Sequence, residues 1–204
     1  MTNDALSLIE RRRSINHFDP SHSLSDDEIE RLARLATRAP SAYNLQNWRL
    51  IAVRTPAEKQ RLRLAADNQT KIYDAAVAFI ICGLFPDPAD VARHLQPLVQ
   101  AGHMAAKVAM DWQQSASQKY SDPQTARDEA VRSATLAAAT LIYAAEAMSL
   151  SSCPLVGFDA QRVAAEFRLK PNEIPVVLVA VGRAAPENWP QKPRRPLRAV
   201  LEIL

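Results

Sequence analysis

Two groups of basic residues stand near opposite ends of this 204-residue chain: Arg11-Arg12-Arg13, and the cluster from Lys192 to Arg198. Guanidinium and ammonium groups neutralise phosphate, and an arginine fork matches phosphate oxygens two at a time. A backbone cradle for phosphate has no basis here. The four glycines stand at 83, 102, 157 and 182. That is too scattered for a G-x-G-x-x-G turn or a P-loop, both of which need clustered glycines. A phosphate bound by this chain must be held by side chains. Cys82 and Cys153 cannot build a Cys-rich zinc site or a disulfide framework. His17, His22, His94 and His103 form no H-E-x-x-H, so no metal is expected.

The rest of the composition narrows the class. Hydrophobic residues make up 48% and charged residues 23%, an ordinary globular balance. The net charge of +3 comes from acidic and basic residues that are mostly interspersed. This reads as solvated surface, with no nucleic-acid partner. Residues 1–10 lack a basic stretch followed by an apolar one. Ala134 to Met148 is Ala- and Thr-rich, interrupted by Glu146, and too short to span a bilayer. The expected location is the reducing cytoplasm, with no membrane partner.

The elements that must position these residues follow from pattern. Residues 4–13 read as a short amphipathic helix. Ser25-Asp-Asp-Glu28 is a capping box that opens a helix over 26–38, ended by Ala39-Pro40. Trp48–Val53 reads as a strand and 56–66 as a helix. Ala75–Cys82 and Pro175–Val181 are apolar β-prone runs, hence buried strands. Residues 91–120 read as helical with a break near Pro97. The helix over 124–150 is apolar nearly all round in its second half, so it belongs in the middle of something. A short helix is expected over 162–167. The tail from Glu187 is rich in proline and ends in Arg198-Ala-Val-Leu-Glu-Ile-Leu204, which must dock on something. Long helices with few strands fit an α+β fold in one domain, 1–204.

Four separated segments now align with one family. Arg12-Arg-Ser14-Ile-Asn16-His-Phe18 resembles the R-x-S-x-[RK]-x-F segment of the FMN-dependent nitroreductases. Ala39-Pro-Ser41-Ala-Tyr-Asn44-Leu-Gln46-Asn-Trp48 resembles their A-P-S-[SA]-x-N-x-Q-P-W motif. Cys153-Pro154-Leu-Val156-Gly157-Phe-Asp159 is similar to the P-x-x-G-F-D turn beside the flavin. Lys192-Pro-Arg194 is similar to the late K-x-R that holds the FMN phosphate.

The resemblance implies a central mixed or antiparallel sheet flanked by helices. It implies a homodimer with FMN at the interface and the C-terminal segment reaching over the partner. It also implies a variable helical excursion over 84–124. Arg12, Lys192 and Arg194 are then expected on the phosphate, Arg13 among the cofactor-binding residues, and Ser14 on the flavin or its ribityl chain; Arg11 reads as a solvated helix end. Asn16 stands where the family has Arg or Lys, close to the flavin N1–O2 edge, and supplies no charge there. Asn68 and Lys71 match an N-x-x-K pair at the pyrimidine end, where Lys71 can supply that charge. Pro40, Ser41, Ala42 and Asn44 are expected against the ring and ribityl chain, and Ser133 from the central helix. Asn47 replaces the usual proline before Trp48. Pro154, Leu155, Val156 and Gly157 cover one ring face, with a backbone N–H aimed at N5. Cys153 reads as a packed thiol.

The implied activity passes hydride from NADH or NADPH through flavin N5, in ping-pong fashion, to nitroaromatic, quinone or enone acceptors. Flavin carries the bond chemistry, so no catalytic side chain is required. Two other readings stay open: a specialised flavoenzyme of the same fold, such as a dehalogenase or semialdehyde reductase, and a flavin-free binding module.

Overall fold

Val77–Leu84 (β2) is an unbroken apolar run, and every residue from Val77 to Gly83 is buried. It is buried because both faces are covered. Ala78, Ile80 and Cys82 face one core and Val77, Phe79 and Ile81 the other, as strand alternation requires. The computed structural model describes residues 4–204. Its four strands are Trp48–Val53 (β1), β2, Ser151–Leu155 (β3) and Glu173–Gly182 (β4). They form one sheet in the order β1-β2-β4-β3, antiparallel throughout.

The first core face packs against Pro56–Leu64 (α3), Thr70–Asp74 (α4) and Ala160–Glu166 (α8). The second packs against Asp26–Ala36 (α2) and Pro123–Ala147 (α7). The α2 cap forms as expected: the Glu28 N–H donates to Ser25 Oγ at 3.3 Å, and the Ser25 N–H donates to the Glu28 carboxylate at 2.8 Å. Helix α7 lays Ala134, Ala138, Leu141 and Ala145 on the sheet. Its opposite side is not covered: Leu136 and Tyr143 are more than a third exposed. Asp4–Arg11 (α1) lies beside α7, with Arg11 paired to Glu146 at 2.9 Å.

Two expectations are corrected. The helical break over 91–120 does not fall at Pro97. Pro88–Gln100 (α5) runs through it, and the chain turns at Gly102, whose φ of 74° suits glycine, before Ala106–Lys119 (α6). Residues 153–155 are not part of a turn but finish β3. Pro154 is tolerated because β3 is an edge strand, its side away from β4 carrying only an isolated bridge at Ser152.

The segment after α1 and the segment after β4 run together. Ser14 forms a bridge with Ser152, and the Ile15 N–H donates to the Ser152 carbonyl at 3.2 Å. Phe18 bridges Ala184, and the Ala185 N–H donates to the His17 carbonyl at 3.0 Å. Beyond Asn188 the chain is exposed through Leu204, including Leu197, Val200 and Ile203 at 60% or more.

Candidate functional site

Helix α1 ends at Arg11, and Arg12 then turns toward β3. The Arg12 guanidinium lies 3.5 Å from Ser14 Oγ. Two residues on, Asn16 Oδ1 accepts from Lys71 Nζ at 3.2 Å. Lys71 rises from α4 and also lies 3.8 Å from Cys153 Sγ. The Gln191 side-chain amide donates to the Arg12 carbonyl at 3.3 Å, which brings the tail to the same place. Lys192 follows, its ammonium 5.7 Å from the centre of the Trp189 ring.

Cys153 reports on this convergence. Burial pushes its thiol up, while Lys71, Lys192 and Arg12 all pull it back down. Three cations from three distant parts of the sequence therefore act on one buried sulfur, Lys71 at 3.8 Å. Such a group favours an anion: each charge is costly beside the others until a negative group joins them.

Arg12, Ser14 and Pro154 line a cavity of about 260 Å³ with Ala139, Ile142 and Tyr143 of α7. Those three α7 residues escaped the sequence reading. The signal for them is the all-round apolar pattern of α7, which marks the helix without marking the residues. A separate cavity of about 410 Å³ between α7, α8 and β4 contains none of the expected site residues.

The turn after β3 is braced from the α3–α4 connection. Gln69 Nε2 donates to the Gly157 carbonyl at 2.9 Å, and Gln69 too was missed. Asn68, at φ 57°, accepts from Arg63 Nε at 2.7 Å. Leu155 is buried in the core, whereas the Val156 side chain is 79% exposed. Arg13 and Arg194 are exposed, and Arg194 donates to the Lys192 carbonyl at 3.2 Å.

The remaining expected residues lie elsewhere. Pro40, Ser41, Ala42 and Asn44 precede β1, in a loop where Tyr43, Asn44 and Gln46 all have positive φ. Ser41 Oγ accepts from the Gln46 N–H at 2.9 Å, and His94 of α5 meets the Asn44 carbonyl at 3.1 Å. Leu45 seats the loop among Val91, Leu95 and Ala109 of α5 and α6. Asn47 donates to the Leu84 carbonyl at 2.8 Å and receives the Leu84 N–H on its own carbonyl.

The register shows how far this loop is from Ser14. Ser14 pairs with Ser152, which faces Val181, which faces Val77, whereas Trp48 faces Gly83 at the far end of β2. Ser14 and Trp48 thus stand at diagonally opposite corners of the sheet, roughly 27 Å apart from ordinary strand spacing and rise. Ser133 is fully buried on α7 and gives its hydroxyl to Glu129 at 3.0 Å. Glu129, also buried, receives Tyr120 Oη at 3.1 Å and pairs with Arg132. Among the described residues no three His, Cys, Asp or Glu side chains are grouped to hold a metal, and no helix is long and apolar enough to cross a membrane.

The chain is similar to known proteins over most of its length. The chain is 34% identical over 195 residues to Protein DrgA of Synechocystis, covering 94% of this chain and 89% of the relative. It is 30% identical over 184 residues to YodC of Bacillus subtilis, named as an NAD(P)H nitroreductase, covering 90% and 91%. A chain from Exiguobacterium sibiricum, assigned as a nitroreductase and solved in complex with FMN, superposes with a TM-score of 0.89. The two are 22% identical, with coverage of 100% and 99%, which shows the shared fold. Residues 9–183 match the model of the nitroreductase family, and the chain belongs to that family.

Proposed function

We propose that this chain is an FMN-dependent oxidoreductase that takes hydride from NADH or NADPH and works as a homodimer. The observation that carries the reading is the convergence of Arg12, Lys71 and Lys192 around Cys153, a cationic pocket built without a glycine cradle. That donor set fits a phosphorylated, electron-accepting cofactor. When bound, FMN would supply hydride acceptance and its onward delivery to an electron-poor acceptor.

The chain's own work is binding and orientation. Arg12, Lys192 and Arg194 neutralise the phosphate, with charge-assisted bonds about twice as strong as neutral ones. Ser14 offers a hydroxyl beside Arg12. Lys71, held by Asn16, supplies positive charge at the pyrimidine end. Val156 and Gly157 offer backbone groups toward N5, and Gln69 keeps their turn in place.

The diagonal separation of Ser14 and Trp48 supports the dimer reading. The loop with Pro40, Ser41, Ala42 and Asn44 cannot complete the Arg12 pocket of its own chain. A second copy, turned about a two-fold axis, can bring its own loop there. The uncovered side of α7 and the exposed apolar tail supply surface for that contact. The electron acceptors suited to this chemistry are nitroaromatics, quinones and enones.

The test is anaerobic mixing of FMN-loaded protein with NADH and with NADPH, followed by a panel of those acceptors. Bleaching of the flavin bands by a nicotinamide, and their return on adding an acceptor, is the expected result. A colourless protein that takes up no FMN ends the reading. Light scattering should give twice the chain's 22.6 kDa.

A further inference from the structure

The cation group is held in shape by a residue outside it. The Asn188 carboxamide makes four hydrogen bonds, using its two donors and both lone pairs of its acceptor. Its Oδ1 accepts the N–H of Asn16 at 2.8 Å and of His17 at 3.0 Å. Its Nδ2 donates to the carbonyls of His17 at 2.8 Å and Ala185 at 2.9 Å. One side chain thus ties the segment after α1 to the segment that leads into the tail.

Both ends of this clamp continue into the cations. On one side, Asn16 presents Oδ1 to the Lys71 ammonium at 3.2 Å. On the other, three residues past Asn188, Gln191 holds the Arg12 carbonyl, and Lys192 comes next. The neutral Asn16 matters to the first branch. A cation at that position would repel the Lys71 ammonium, whereas an amide oxygen attracts it. The side chain of Asn16 can aim at Lys71 because its own backbone N–H is fixed.

We propose that Asn188 is a positioning residue: acting through Asn16, it sets where the Lys71 ammonium stands and how strongly the site favours reduced over oxidised flavin. The proposal rests on the FMN reading above. Reduced flavin carries more negative charge at its pyrimidine edge, so displacing the nearby ammonium weakens binding of the reduced form more than of the oxidised form. A residue that only tethered two segments would weaken both equally.

The experiment compares wild type, Asn188→Ala, Asn16→Ala and the double variant, with Asn188→Ser in reserve should Asn188→Ala fail to fold. Two quantities are read on loaded protein: the dissociation constant for oxidised FMN and the midpoint potential of the bound flavin. In Asn188→Ala, affinity for the reduced form should fall about tenfold beyond any loss for the oxidised form, a midpoint drop of about 30 mV for a two-electron couple. Asn16→Ala should move the midpoint the same way. The double variant should drop no further than the larger single effect, because the two residues act in series. Equal losses for both redox forms, or additive midpoint shifts, overturn the proposal.

A third readout needs no flavin. Labelled Cys153 is titrated by carbon NMR, since Lys71, Lys192 and Arg12 are the charges that face its thiol. Asn188→Ala should raise its titration point as Lys71 moves away, and an unmoved titration overturns the proposal. If wild type takes up no FMN, the functional reading fails, and the Cys153 titration alone decides whether Asn188 positions Lys71.

Discussion

Gly83 of β2 and Ala130 of α7 meet backbone to backbone: a Cβ on Gly83 would lie 2.3 Å from the Ala130 carbonyl oxygen and 2.7 Å from its carbon. No side chain separates the long helix from the sheet at this point. The contact fixes the height of α7 above the strands, and with it the place of Ile142 and Tyr143 beside Arg12.

Gly83→Ala should therefore be costly although the strand backbone itself would accept alanine. Overpacking by a methyl typically costs about 1–3 kcal/mol. Here the obstacle is backbone, so the expected loss is at least about 3 kcal/mol by urea unfolding. Gly157→Ala is the contrast. Its Cβ would meet only the ends of two side chains, Asp67 Oδ2 at 3.3 Å and Gln69 Nε2 at 3.4 Å. A loss of no more than about 1 kcal/mol is expected there, since both side-chain ends need give by only a few tenths of an ångström. Equal unfolding midpoints for Gly83→Ala and wild type would refute the contact.

Alkaline pH should weaken the fold through its buried acids. Burial pushes the Cys82 thiol up from 9.0 to about 12, with Arg49 opposing and Glu173 adding. The Tyr120 phenol is pushed up by burial and then by the Glu129 carboxylate, and the Cys153 thiol by burial against three cations. In each case the folded chain keeps a proton that the unfolded chain releases earlier. Stability from these groups is complete below about pH 8.5 and falls as pH rises toward 12. For Cys82 alone the loss by about pH 10.5 is about 2 kcal/mol, at about 1.36 kcal/mol per unit. The urea midpoint should fall steadily over that range, and Cys82→Ala should flatten part of the slope. A midpoint that holds constant to about pH 10.5 contradicts this.

Phosphate binding can be tested through the two ends of the sequence. Arg12→Gln and Lys192→Gln each remove a charge-assisted contact worth about 1.5–3 kcal/mol. Each should raise the dissociation constant for FMN roughly ten- to hundredfold, read by flavin fluorescence. Riboflavin, which lacks the phosphate, should bind wild type and both variants alike. A variant that loses affinity for riboflavin and FMN equally would place its residue away from the phosphate.

Ser25 and Glu28 announced α2, and the apolar runs announced β2 and β4, because each signal is local: a cap, or an unbroken stretch of β-formers. Trp48–Val53 was legible with its ends. The motif put 153–155 in a turn; that they finish a strand despite Pro154 depends on β3 being an edge, and edge position is a tertiary fact. Pro97 misled for a related reason: the turn at Gly102 ended the helix where the proline did not. At the site, the cations were legible by charge and by motif. Asn188 and Gln69 were not, since their roles are hydrogen bonds to residues 171 and 88 positions away. No spacing rule reaches that far.

Asn16→Arg tests the charge at the pyrimidine end in both directions at once. Without cofactor, the new guanidinium would stand where Asn16 Oδ1 now accepts from Lys71 at 3.2 Å. Two cations would share the space of one ammonium and one amide, with Arg12 and Lys192 near the same thiol. Like charges about 4 Å apart repel by about 4 kcal/mol at an intermediate dielectric, less where water screens them. The unloaded protein should therefore melt lower than wild type. With flavin bound, the second cation faces a group that becomes more negative on reduction, so the midpoint potential should rise. Opposite movements, melting temperature down and potential up, are the signature of a charge placed for the reduced cofactor. A potential that stays put while the melting temperature falls would assign residue 16 to the fold alone.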